Sequence, residues 1–124
     1  MLNYLLVAAG GALGSVSRFW ASGALANRYG QSFPWGTLFV NVSGSFIIGF
    51  FATLTAPEGR WLVGPSGRNF FMSGFCGGYT TFSSFSWQTV DLVQKGNWAA
   101  AAANILLSVL LCLAATWLGW KLAQ

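Results

Sequence analysis

N-F-F-M-S-G-F-C-G-G-Y-T-T-F-S-S-F-S-W-Q-T-V, from Asn69 to Val90, carries no charge and is long enough to cross a bilayer, whose core needs about 20 helical residues. Its middle resists a continuous helix. Gly77 and Gly78 are adjacent, each costing about 1 kcal/mol against Ala in a helix interior, and Tyr79, Thr80 and Thr81 behind them are mediocre helix formers. The run is therefore expected to break near its midpoint. Backbone groups released inside hydrocarbon must find partners in protein, water or an ion, so such a break is buried or lines a cavity. A helix broken at the midplane points to transport.

Three further apolar runs surround it. They extend from about Leu2 to Ala26, from Trp35 to about Ala56, and from Trp98 to Trp120, the last two uncharged. The 124-residue chain is 55% hydrophobic and 6% charged, where a soluble domain carries about 25% charge. Four spans of about 20 residues with short loops nearly exhaust the length, leaving no room for a soluble catalytic module. The expected architecture is a single all-α membrane domain over residues 1–124, with four transmembrane helices and the third broken. A polar turn at Arg28–Ser32 is closed by Pro34, and the longest loop, Pro57–Arg68, carries an apolar patch at Trp61–Val63 suited to the membrane interface. Ala24-Leu25-Ala26 resembles a signal-peptide cleavage site, but no basic region precedes the apolar run and Arg18 interrupts it, so this segment is expected to remain as a span.

Six Lys/Arg against two Asp/Glu give +4, with the basic residues scattered. They suit headgroup anchors, alongside Trp117 and Trp120, better than a nucleic-acid surface. With four crossings, Arg60, Arg68 and Lys121 share one side with both termini, and Arg28 and Lys95 take the other. Since Lys/Arg excess sets orientation, this near-balance predicts insertion both ways round and an antiparallel pair of copies.

The polar residues inside the runs are few. Arg18 either snorkels to an interface or faces a wet interior. Gly10 and Gly14 form a G-x-x-x-G that permits close helix approach. Thr37, Asn41 and Ser45 recur every fourth residue on one helical face, as do Asn104 and Ser108. An amide such as Asn41 at the centre of an apolar helix is either interhelical glue or part of a polar pathway. Phe82 and Phe85, three residues apart among Thr80, Thr81, Ser83, Ser84 and Ser86, are either packing residues or the lining of a pore. In the second reading, positive ring edges and hydroxyl donors would replace the hydration of an anion without a fixed charge that traps it. Carbonyls freed at the break could hold a cation only as neutral oxygens. Cys76 and Cys112 lie in apolar runs with no His in the chain, and are expected to be small buried hydrophobes rather than a metal pair.

The string G-F-C-G-G-Y-T-T-F-S-S-F-S from Gly74 to Ser86 closely resembles the motif of the Fluc/CrcB fluoride channels. The resemblance continues in G-G-A-L-G-S-V-S-R from Gly10 to Arg18, in G-T-L-F-V-N from Gly36 to Asn41, and at Ser108. It implies an antiparallel, dual-topology homodimer in a bacterial-type inner membrane, exporting cytoplasmic fluoride passively through two pores. By the same likeness Phe82 and Phe85 are pore phenylalanines, Asn41 a pore amide, Thr37 and Ser108 neighbouring pore groups, and Arg18 the first-span arginine. Gly77 and Thr80 carbonyls would hold a structural sodium ion at the dimer centre. Gln88 stands where many members carry Glu, and Tyr79 where an aliphatic residue is usual.

Other classes fit less well. A small dual-topology cation or drug exporter needs an intramembrane carboxylate, whereas Glu58 is in a loop and Asp91 at a helix end. A structural membrane subunit would use the glycines for packing alone. A membrane enzyme lacks both His and a paired nucleophile and base.

Overall fold

Four helical rods build the computed structural model, which describes residues Met1–Gln124. The first is α1 (Leu2–Tyr29) and the second α2 (Trp35–Leu54). The third is composite: α3 (Pro65–Arg68) runs into a π-helical stretch, Asn69–Cys76, then α4 (Gly77–Tyr79), and after a break α5 (Phe82–Gln94). The fourth is α6 (Trp98–Ala123), and there is no β-strand. α2 and α6 are long and apolar enough to cross a membrane. They lie along each other, while α1 packs along the π-helical stretch and α4.

Local sequence explains the ends. Pro34 precedes α2, and Pro65 opens α3, where a missing N–H costs nothing. The third rod thus starts four residues earlier than charge alone indicates. Arg68 then donates to the Ala52 carbonyl and to Thr55 Oγ1, tying this start to the end of α2. Trp61 and Leu62 are exposed on the loop between them. Asn97 caps α6, its Oδ1 accepting from the Ala100 amide at 3.1 Å.

The chain keeps little apolar surface to itself: 21 of 124 residues are buried, and Leu5, Val16, Trp20, Leu110, Leu113 and Trp117 are exposed. In a membrane protein these faces meet lipid or another subunit. Close packing is concentrated between α1 and the third rod. A Cβ on Gly14 would lie 2.1 Å from the Phe75 carbonyl oxygen, and one on Gly78 would lie 2.4 Å from that of Gly11. The G-x-x-x-G of Gly10 and Gly14 is therefore used within the chain.

The break falls at Thr80 and Thr81, near the midpoint of the uncharged run as expected, but the glycines do not make it. Gly77 is helical (φ −62°, ψ −38°), whereas Thr80 (φ −91°, ψ 160°) and Thr81 (φ −154°, ψ 112°) are extended. Gly78 admits the backbone of α1; the chain opens three residues beyond the start of the glycine pair, where side chains from other rods supply new partners.

Candidate functional site

Asn41 on α2 splices the break. Its Nδ2 donates to the Thr81 carbonyl at 3.0 Å and its Oδ1 accepts from the Thr81 amide at 2.7 Å, so one side-chain amide pairs with both polar groups of one residue. Thr81 in turn caps α5, its Oγ1 accepting from the Ser84 amide at 3.2 Å. These pairings divert donors. In a continuous helix the Thr81 N–H would reach the Gly77 carbonyl, and the Ser84 N–H that of Thr80. The Gly78 carbonyl, which the Phe82 N–H would serve, is instead met by Arg18 Nε at 2.9 Å. Arg18 thus faces inward rather than snorkelling outward. Its guanidinium has no carboxylate partner, since the salt bridge of the chain joins Lys95 to Asp91.

Two cavities flank this point. The first, about 650 Å³, is polar, with Arg18, Ser22, Thr37, Ser84, Gln88 and Asp91 in its wall. The second, about 440 Å³, is lined by Asn41, Gly77, Thr80, Phe82, Phe85 and Ser108 among others, and by no charged side chain. Thr81 lines both. Residues expected to act together are therefore divided between two chambers. Thr37 and Asn41 share a helical face, but about 6 Å of axial rise separates them and sets them on different cavities.

Within the second cavity the Phe82 and Phe85 rings are 5.2 Å apart, centre to centre, and tilted by 50°. Phe85 is buried and Phe82 is 76% exposed. Ser108 is the end of a buried chain of hydrogen bonds. Its Oγ donates to Asn104 Oδ1 at 3.4 Å, Asn104 Nδ2 donates to Thr89 Oγ1 at 2.9 Å, and Thr89 Oγ1 donates to the Phe85 carbonyl at 2.8 Å. Asn104, 1% exposed, links α6 to α5 at Thr89, one turn beyond Phe85. The sequence signalled Asn104 and Ser108 by their spacing, but gave no sign of Thr89 or of the double role of Thr81, because their partners lie on other rods.

Tyr79 and Gln88 also find places. Tyr79 stacks on Phe75 at 5.9 Å with 8° between ring planes, and its hydroxyl lies 3.0 Å from Ser43 Oγ. Gln88 reaches the first cavity, with its Oε1 buried and without a hydrogen-bond donor.

Residues 5–120 match the family model described as CrcB-like protein, Camphor Resistance (CrcB). The chain is 65% identical over 119 residues to the fluoride-specific ion channel FluC of Opitutus terrae, spanning 96% of this chain and 90% of the relative. It is 61% identical over 118 residues to the protein of the same name from Rhodospirillum rubrum, spanning 95% and 92%. With that of Methylocella silvestris it shares 54% over 122 residues, spanning 98% and 93%.

Proposed function

Since the chain belongs to the CrcB family, we propose that it is a fluoride-specific ion channel whose anion passes through the two cavities that meet at Thr81. The observation that carries this reading is the contrast between the chambers. Arg18, without a carboxylate partner, and the hydroxyls of Thr37 and Ser84 make the first cavity attractive to an anion entering from water. The second offers the Phe82 and Phe85 rings, whose edges carry partial positive charge, the Asn41 amide and the Ser108 hydroxyl, with no fixed charge to hold the ion. Flux is passive and runs outward when cytoplasmic fluoride is high. The protein crosses a bacterial-type inner membrane several times.

The working unit in this reading is an antiparallel homodimer with two pores. Its support is the near-balance of Lys and Arg across the sequence-derived loops, together with the exposure of Phe82 beside an open, uncharged cavity. A structural sodium ion fits the donor set at the break. The Gly77 and Thr80 carbonyls have lost their helical donors to Asn41 and to Thr81, they line the same cavity, and the only carboxylates in the chain, Glu58 and Asp91, are absent from it. Such an ion, when bound, would supply positive charge to four neutral oxygens, two from each copy, and hold the two breaks together.

Purified protein in liposomes tests the function. Fluoride is expected to leave down its gradient far faster than chloride; equal leakage of the two anions would defeat the proposal.

A further inference from the structure

The chain has four sulfur-bearing side chains, Met1, Met72, Cys76 and Cys112, and three of them line the second cavity. Met72 and Cys76 come from one turn of the π-helical stretch, while Cys112 comes from α6. Both thiols are free. Thirty-six residues separate the two cysteines in sequence, which is why neither announces the other. We infer that the second cavity is a binding site for a soft monovalent metal cation, of the silver(I) or copper(I) class, and that its occupation blocks conduction.

The chemistry favours that class. Thiolate and thioether sulfurs select soft cations, while the hydroxyl and amide oxygens present here serve them poorly. The wall carries no charged side chain, so ionising a thiol there is least costly where the thiolate and its cation together carry zero net charge. A monovalent cation meets this condition with one thiolate. It forms a metal–sulfur bond at one cysteine, whose thiol proton departs to water, and the other thiol and the Met72 thioether remain as neutral donors. A divalent soft cation would need both thiols ionised to reach the same balance. No redox change is involved. Because the cavity also holds Phe82, Phe85 and Ser108, an ion seated between its walls obstructs the route proposed for fluoride; this consequence rests on that functional reading, whereas the binding itself does not.

The test uses the full-length protein and silver nitrate in chloride-free buffer, with two readouts. Bound silver per chain is measured after gel filtration, and fluoride efflux from liposomes is measured against silver concentration, each variant normalised to its own metal-free rate. About one silver per chain is expected, as is block of efflux that dithiothreitol reverses. Cys76→Ser and Cys112→Ser should each weaken binding by about tenfold or more, and Met72→Leu by less. The double variant Cys76→Ser/Cys112→Ser should retain neither binding nor block. Silver retained equally by that double variant would overturn the site. Stoichiometric binding that leaves efflux untouched would keep the site but separate it from the conduction route, overturning the block. A protein that binds silver and conducts no fluoride even without metal would instead overturn the functional reading.

Discussion

Asn41→Leu removes the side-chain amide that holds the Thr81 peptide. Two hydrogen bonds are lost, at 3.0 and 2.7 Å, and the Thr81 N–H and C=O are left without their partner at the point where the third rod is open. An unsatisfied buried polar group costs about 1–3 kcal/mol, so the pair costs about 2–6, toward the lower end where cavity water replaces the amide. Even 2 kcal/mol is about a 30-fold shift in the folded-to-unfolded ratio. Asn41→Asp sharpens the reasoning. A carboxylate still accepts from the Thr81 amide but opposes its carbonyl, whereas the protonated acid supplies both an acceptor and a donor. Unfolding in detergent should show Asn41→Leu destabilised, and Asn41→Asp, which keeps an acceptor for the Thr81 amide but opposes its carbonyl, destabilised as well. Fluoride efflux measured in parallel separates the roles. An Asn41→Leu protein as stable as its parent would refute the splice, whatever its conduction.

Arg18→Gln takes a charged donor from the Gly78 carbonyl and the unpaired cation from the first cavity; a hydrogen bond of this kind is worth about 1.5–3 kcal/mol, and efflux should fall by about tenfold or more, as a fluoride electrode would record. Phe82→Ala and Phe85→Ala should both slow efflux, but only the second, which truncates a buried ring, should also lower unfolding resistance, by about 3–5 kcal/mol. Efflux should be indifferent to a sodium gradient yet disappear after sodium is withdrawn long enough to leave; full activity in a sodium-free preparation would remove the ion from the proposal. A membrane-impermeant reagent directed at a cysteine added after Gln124 should label about half the chains from each side, and labelling from one side alone would exclude antiparallel pairing.

What the sequence disclosed was what neighbouring residues decide together. Absence of charge over Asn69–Val90, the proline before α2 and the fourfold spacing of Asn104 and Ser108 are local signals, and each has its counterpart in the fold. The opening of the third rod was legible to within a few residues, but its cause was not. Glycine propensity indicated Gly77 and Gly78, whereas tertiary packing keeps both helical and places the opening where Asn41, 40 positions away, supplies the missing partners. Arg18 had two admissible orientations in sequence, and the choice was made by a carbonyl 60 positions on. The same blindness to distance left the G-x-x-x-G without an assigned neighbour and the two cysteines apparently alone.

The π-helical stretch Asn69–Cys76 also bears on how the chain can change length. Its hydrogen bonds step over five residues where those of an α-helix step over four, so it stores roughly one residue more than the same axial length of α-helix would. Deleting a single residue there lets ordinary α bonding return while Pro65 upstream and Gly78 downstream keep the faces they present. The same deletion within α2 or α6 would turn everything beyond it by about 100° and carry Asn41 or Ser108 away from its cavity. A one-residue gap between this chain and a shorter relative belongs in this stretch, and a shortened protein made there should still fold when one made in α6 does not.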